Sequence, residues 1–137
     1  MVSDFKEKGF CAQSSLFTKD ALQKYNLEFD RIVAQLRESG EDINARWGSE
    51  LTKDIEHSES QVIHTHNVQS YSAEMMAMIQ NEQFLDAVEE LIGPDIILHH
   101  TKLFLKPPAN GSAFPLHQDW SYFPTEKNSM IAAVIHL

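Results

Sequence analysis

Two stretches of the chain carry apolar residues at helical spacing. In the first stretch these residues recur every three or four positions and so line one face of a helix: Leu22, Tyr25, Phe29, Val33 and Leu36. Thr18 is the predicted N-cap of this helix, and Gly40 is its predicted end. The second stretch predicts a helix from about residue 73 to residue 91, which Gly93-Pro94 terminates. Both helices are expected to pack their apolar faces on the rest of the domain.

The last third of the chain favours strands. Residues 95–106, "DIILHHTKLFLK", are rich in apolar and β-branched side chains, and a period of two places His100, Lys102 and Phe104 on one face. Three further extended segments are predicted, around Ile63, over residues 116–123 and from Met130 onward. Residues 107–115, "PPANGSAFP", are predicted to form a loop. Helices first and strands last predict helices packed on one side of a mainly antiparallel sheet.

Composition and charge narrow the classes of function. The 137 residues suffice for one domain, and 42% hydrophobic with 23% charged residues is ordinary for a folded soluble protein. Eleven basic against 20 acidic residues give a formal net charge of −9, which argues against a nucleic-acid or anionic-membrane partner. The single cysteine, Cys11, excludes an internal disulfide framework, and no apolar run approaches the ~20 residues of a membrane span. We therefore expect a soluble, intracellular protein, cytoplasmic by default.

One stretch carries candidate chemistry: residues 115–124, "PLHQDWSYFP". His117 and Asp119 are two positions apart, so on an extended segment their side chains point to the same side and can converge. One nitrogen and one oxygen ligand, joined by a further histidine, form the triad that binds non-haem Fe(II). The pair alone is a weak signal, and by itself it favours a histidine hydrogen-bonded to a nearby carboxylate over a metal site.

The context of this pair resembles the phytanoyl-CoA dioxygenase family. The resemblance rests on residues 100–124, where a strand ends in Lys-Pro-Pro, a glycine-containing loop follows, and Pro-Leu-His-Gln-Asp precedes an aromatic cluster and Phe-Pro. Residues 5–33 and the "VEELIGPDIILHHTK" stretch of residues 88–102 are similar to the same family. The combination of Lys-Pro-Pro with Pro-Leu-His-Gln-Asp is far more specific than a His-x-Asp pair alone.

The resemblance implies a mainly β fold behind N-terminal helices, a double-stranded β-helix (jelly roll) that holds Fe(II) and 2-oxoglutarate. By position, His117 and Asp119 match two iron ligands, and Lys102 and Ile135 fall beside the 2-oxoglutarate pocket. The implied activity is hydroxylation of a C–H bond of a small molecule with dioxygen. A fatty acyl-CoA such as phytanoyl-CoA is the first candidate substrate, ascorbate is a candidate reductant, and a peroxisomal location stays open.

The family's third iron ligand and the arginine for the distal carboxylate of 2-oxoglutarate are expected beyond Leu137. Residues 1–137 are thus expected to form a single, incomplete domain, a partial jelly roll truncated before its last strands. His136 is not expected to replace the third ligand, because a strand that turns Ile135 towards the pocket turns His136 away.

The remaining histidines are interpreted as non-ligands. His64 and His66 form a His-x-His pair that we interpret as solvated strand residues. His99 and His100 are expected to point to opposite faces of a strand.

Two other functions stay open for this sequence. The first is a catalytically inactive fragment or shortened isoform that acts at most as a binding module. The second is a zinc hydrolase that uses the same histidine and aspartate.

Overall fold

The computed structural model describes residues 1–39, 63–105, 117–127 and 129–137. Within these ranges the elements are, in chain order, α1 (Val2–Lys8), α2 (Lys19–Glu38), β1 (Ile63–His66), α3 (Ala73–Ile79), α4 (Glu82–Ile92) and β2 (Lys102–Leu105). Two single turns of 3₁₀ helix cover Val68–Ser70 and Asp119–Ser121. In the part of the chain so described, no helix is both long and apolar enough to cross a membrane.

Helix α2 confirms the prediction from the apolar stripe. The Thr18 side chain accepts a hydrogen bond from the Ala21 amide at 3.2 Å and so caps the first turn. Tyr25 and Val33 of the predicted stripe are buried, and so is Ile32 beside it. The helix ends at Glu38, and Gly40, its predicted end, lies outside the described residues.

The single helix predicted over residues 73–91 is wrong, because the structure has two helices there. Helix α3 ends at Ile79, and the Asn81 side chain then accepts a hydrogen bond from the Phe84 amide at 3.1 Å. Asparagine is a strong N-cap, so it starts a new helix within an apolar pattern that itself continues. The predicted stop is confirmed, since α4 ends at Ile92 and Gly93 adopts a φ of 90°.

Strand β2 is shorter than predicted. It pairs with β1 in antiparallel fashion, with Ile63 opposite Leu105 and His66 opposite Lys102. Residues 95–101 are not in a strand, and beyond His66 the chain leaves the ladder through Asn67, whose φ of 55° is left-handed. A strand requires a partner for its backbone groups, and the described part of β1 offers one only along four residues.

The strands predicted over residues 116–123 and from Met130 onward are also absent from the described residues. Residues 119–121 form a 3₁₀ turn instead, and residues 129–137 have no regular secondary structure. The loop predicted over residues 107–115 lies outside the described residues. Helices beside an antiparallel sheet are confirmed, but the described chain is mainly helical with a two-stranded sheet, so the jelly roll stays a prediction.

The core joins α2 and α3 to β2. Its buried side chains come from α2, α3, β2 and the turn before α3: Tyr25, Ile32, Val33, Val68, Met75, Met78 and Leu103. Phe17 packs its ring edge-to-face on Tyr25 at 5.6 Å between centroids, which extends the core towards α4 through Phe84. Because Leu103 belongs to this core, packing fixes the strand that carries Lys102 and Phe104.

An ion-pair cluster ties α2 to the start of α3. The Glu28 carboxylate accepts hydrogen bonds from Nε and Nη2 of Arg31, both at 2.6 Å, and another from the hydroxyl of buried Ser72. The Ser72 oxygen in turn accepts a hydrogen bond from the Met75 amide and caps α3. The hydrogen bonds from Arg31 chiefly hold the pKa of Glu28 at about 2, below its ordinary value of 4.5.

This cluster predicts a pH dependence of stability. The folded-state pKa of Glu28 is depressed, so its stabilisation is complete above about pH 5 and is lost as the pH falls towards 2. Since 46% of the Arg31 side chain is exposed, water screens the pair, and we expect a contribution of about 1–2 kcal/mol. Glu28→Gln should therefore lower the free energy of unfolding by that amount at neutral pH and by little near pH 2, as measured by urea denaturation.

Asp30→Asn is the matched control, because Asp30 is an exposed carboxylate on the same helix. It is expected to change the free energy of unfolding by less than about 0.5 kcal/mol at either pH. An equal loss for Glu28→Gln at both pH values would contradict the assignment of the effect to ionised Glu28.

Candidate metal centre

His117 and Asp119 lie side by side at the start of the C-terminal described segment. The His117 Nε2 atom is 3.3 Å from Asp119 Oδ1, and 34% and 39% of the two side chains are exposed. Gln118 between them is extended, with φ −115° and ψ 126°, and the 3₁₀ turn begins at Asp119. The predicted convergence is therefore confirmed, although a single extended residue followed by a turn produces it rather than a strand.

The turn that contains Asp119 also sets the aromatic side chains that follow. The Asp119 carbonyl accepts hydrogen bonds from the amides of Tyr122, at 2.9 Å, and Phe123, at 3.0 Å. The Tyr122 ring lies edge-to-face with the His117 imidazole, with 5.9 Å between centroids. The turn thus brings the Asp119 carboxylate and the Tyr122 ring against the same histidine.

The two donors fit a transition-metal ion as a pair. Two neighbouring ligands bound at about 2.1 Å are separated by about 3 Å, close to the separation between His117 and Asp119. One imidazole nitrogen and one carboxylate oxygen suit Fe(II), and they suit Zn(II) as well. Among the described residues no group of three or more His, Cys, Asp or Glu side chains comes together to hold a metal. The described residues therefore bring together one candidate pair of metal ligands, His117 and Asp119.

The ammonium group of Lys102 interacts electrostatically with the Asp119 carboxylate. Burial lowers the pKa of its ammonium group, and the charge of Asp119 acts in the opposite direction. The Nζ atom lies 4.6 Å from the centroid of the Phe104 ring, in cation–π contact. A half-buried cation beside a candidate metal ligand can pair with an anion that binds there.

His66 is a neighbour of Lys102 that the sequence did not reveal. Burial lowers the pKa of His66, and the charges of Lys102 and His100 lower it further. The His66 and His100 rings have centroids 6.3 Å apart. The signal that could have found His66 is the antiparallel register of "IHTH" with "KLFL", which places His66 opposite Lys102.

The expectation that His99 and His100 point to opposite faces is wrong. Their Nδ1 atoms are 2.6 Å apart, and both rings contact Phe123, with centroid distances of 4.6 and 5.3 Å. The reason is that these residues are not in a strand, so the period of two does not govern their side chains.

Ile135 and His136 differ in their surroundings. Ile135 is half-buried and packs against the core, whereas His136 is exposed. The expectation that the two side chains point apart rests on a strand that residues 129–137 do not form, and the difference in burial does not test it. Nothing in the packing of Ile135 tests its predicted place beside a 2-oxoglutarate pocket, which stays a prediction.

A histidine–carboxylate donor pair of this kind is typical of non-haem iron proteins. The sequence profile of the phytanoyl-CoA dioxygenase (PhyH) family matches residues 5–137, which is nearly the whole chain. The chain therefore belongs to the phytanoyl-CoA dioxygenase family, as the resemblance predicted.

Curated relatives include two mammalian enzymes and a bacterial one. The bovine protein named "Phytanoyl-CoA dioxygenase, peroxisomal" is 30% identical over 139 residues, which cover 94% of this chain and 39% of the relative. The rat protein of the same name is 29% identical over 137 residues, covering 93% of this chain and 38% of the relative. A "Probable alpha-ketoglutarate-dependent hypophosphite dioxygenase" from Stutzerimonas stutzeri is 30% identical over 61 residues, covering 44% of this chain and 21% of the relative. No solved structure matches the chain.

The chain spans about two-fifths of the length of the mammalian relatives it matches.

Proposed function

We propose that this chain functions as an Fe(II)- and 2-oxoglutarate-dependent dioxygenase that hydroxylates a C–H bond of a small molecule. The observation that carries the proposal is the 3.3 Å approach of His117 Nε2 to Asp119 Oδ1, within a segment that belongs to a dioxygenase family. The names of the bovine and Stutzerimonas relatives, a phytanoyl-CoA dioxygenase and a probable alpha-ketoglutarate-dependent dioxygenase, support the same reaction class.

Each site residue has a proposed role. His117 Nε2 and Asp119 Oδ1 would hold Fe(II), and the metal when bound would supply the site that the oxoacid chelates and at which dioxygen is activated. Lys102 would attract a carboxylate of 2-oxoglutarate, since burial reduces the screening of its charge. Ile135 would wall the cosubstrate pocket by its apolar bulk. The turn at residues 119–121 contributes by presenting Asp119 and His117 to the same point.

Substrate, reductant and location are the finer parts of the proposal. A fatty acyl-CoA such as phytanoyl-CoA is the proposed substrate, because the mammalian relatives are named for it. Ascorbate is the proposed reductant. The names of those relatives include "peroxisomal", which keeps the peroxisome beside the cytoplasm as a proposed location.

The coupling between Fe(II) and 2-oxoglutarate tests the proposed function. A 2-oxoacid that chelates the bound metal must strengthen metal binding, and the metal must strengthen oxoacid binding by the same factor. Anaerobic titrations of Fe(II), with and without 2-oxoglutarate, are expected to reveal this mutual enhancement. Independent binding of the two, or no binding of Fe(II), would contradict the proposal.

Lys102→Met is expected to weaken 2-oxoglutarate binding about tenfold in the presence of Fe(II), because a charge-assisted contact to a carboxylate is lost. Binding of the metal alone is expected to stay the same or to strengthen slightly, since a cation near Asp119 is removed. Isothermal titration of 2-oxoglutarate at a saturating metal concentration measures the effect.

Lys127→Met is the control, because Lys127 is an exposed cation in the C-terminal segment that also contains Asp119. An equal loss of 2-oxoglutarate affinity in both variants would indicate non-specific electrostatic attraction and would contradict the role proposed for Lys102.

A binding module without turnover is the second candidate. It is favoured by the number of candidate metal ligands. The described residues bring two such side chains together, and no group of three. Formation of succinate from 2-oxoglutarate, dependent on Fe(II) and measured across a panel of acyl-CoA substrates, separates the two candidates. Metal and oxoacid binding without succinate formation would support the binding module.

A further inference from the structure

Tyr122 makes a contact with His117 that core packing does not require. The two rings stand edge-to-face, with an interplanar angle of 81° and 5.9 Å between centroids. The Tyr122 side chain is 67% exposed, so the protein interior does not force it into this position. Its backbone is fixed by the hydrogen bond from its amide to the Asp119 carbonyl at 2.9 Å. The same turn that contains the Asp119 carboxylate therefore fixes the backbone from which the Tyr122 ring reaches the histidine.

We infer that Tyr122 is a positioning residue for the metal site: its ring holds the His117 imidazole in the orientation that turns Nε2 towards Asp119. This inference rests on the proposed function of His117 and Asp119 as metal ligands. Tyr122 itself touches neither metal nor substrate in this role. It acts on the imidazole, whose side chain is one-third exposed.

The physical reason is pre-organisation. A metal binds an imidazole nitrogen only along its lone pair, so an imidazole that samples several rotamers must lose that freedom on binding. An edge-to-face aromatic neighbour favours one orientation before the metal arrives. Groups that orient a ligand in this way commonly raise metal affinity without contacting the metal.

The neighbouring aromatic residues make different contacts. The Trp120 indole N–H donates a hydrogen bond to the Thr125 carbonyl at 3.4 Å. The Phe123 ring packs on His99 and His100, and its centroid is 6.3 Å from that of Tyr122. Trp120 is therefore the matched control for Tyr122, since it is an exposed aromatic residue of the same turn.

The test is a titration of the 137-residue chain with Co(II), whose visible spectrum reports the geometry of its ligands. Tyr122→Ala is expected to weaken the binding that depends on His117 by about 3- to 10-fold, the size of one aromatic pair. It should also shift the Co(II) absorption bands. Tyr122→Phe, which keeps the ring, is expected to restore both the affinity and the spectrum to within about twofold of the parent chain. Trp120→Ala is expected to change neither.

The outcomes separate this inference from the proposed function. If His117→Ala leaves Co(II) binding unchanged, the metal site itself is wrong and this inference fails with it. If His117→Ala removes binding while Tyr122→Ala leaves affinity and spectrum at parental values, the site stands and the role of Tyr122 is overturned. A loss in Tyr122→Phe equal to that in Tyr122→Ala would overturn it too, because it would assign the effect to the hydroxyl group. Circular dichroism confirms that each variant is folded.

Discussion

Replacing Asp119 by alanine is expected to lower the affinity of the chain for Fe(II) by at least about 100-fold, more than the change of a residue that merely supports a ligand. The variant loses the anionic ligand of a two-ligand site. This carboxylate supplies most of the electrostatic attraction for a divalent cation. Lys102 adds to the loss, because the charge of Asp119 that acts on this cation is removed while the positive charge of Lys102 remains. Anaerobic equilibrium titration with Fe(II) measures the effect.

The control for this variant is Glu126→Ala. Glu126 is an exposed carboxylate seven positions further along the same segment, so its removal changes the net charge equally. It is expected to change the Fe(II) affinity by less than about twofold, because an exposed charge is largely screened. His117→Ala should also weaken binding, though by less than Asp119→Ala, and the double variant should lose little more than Asp119→Ala. Equal affinities in Asp119→Ala and Glu126→Ala would remove Asp119 from the site.

Ile32→Ala is expected to have the largest effect on stability, about 3 kcal/mol. Ile32 is 2% exposed and lies in the middle of α2, within the core that α2, α3 and β2 share. Truncation removes buried methyl and methylene groups and leaves a cavity that packed neighbours fill only in part. Since small domains are stable by only about 5–15 kcal/mol, the loss should be visible as a large fall in the urea midpoint.

Leu27→Ala on the same helix is the matched control. Leu27 is 65% exposed, so the same kind of truncation removes little buried surface. Alanine is also a good helix former, and we expect a change of less than about 0.5 kcal/mol. A difference below about 1 kcal/mol between the two variants would contradict the packing of α2 described above.

Local patterns predicted the elements whose determinants are local. The stripe of α2 and the Thr18 cap lie within one stretch of sequence, and so does the stop at Gly93. The pattern missed the break at Asn81, because the apolar spacing continues unchanged through the point where the Asn81 side chain caps a second helix.

Strand length depended on partners that the sequence does not display. The apolar run of residues 95–106 predicted one long strand, but within the described residues pairing with β1 covers only Lys102–Leu105. The same non-local pairing determines which side chains surround Lys102. His66 comes to it across the sheet from 36 positions earlier in the chain, and no periodicity within either strand encodes that approach.

The candidate site was the more predictable part of the molecule. A spacing of two positions sufficed to bring His117 and Asp119 together, because one extended residue between them is enough. The edge-to-face contact of Tyr122 was not predicted, since it depends on the 3₁₀ turn that replaced the expected extended path.

Anomalous diffraction from crystals of the chain grown anaerobically with Fe(II) tests the ligand assignment most directly. Data collected on both sides of the iron absorption edge locate the metal without reference to activity. The account predicts a peak within about 2.3 Å of both His117 Nε2 and an Asp119 carboxylate oxygen. A peak beside His99 and His100 instead, or no peak at His117 in crystals that contain iron, would contradict it.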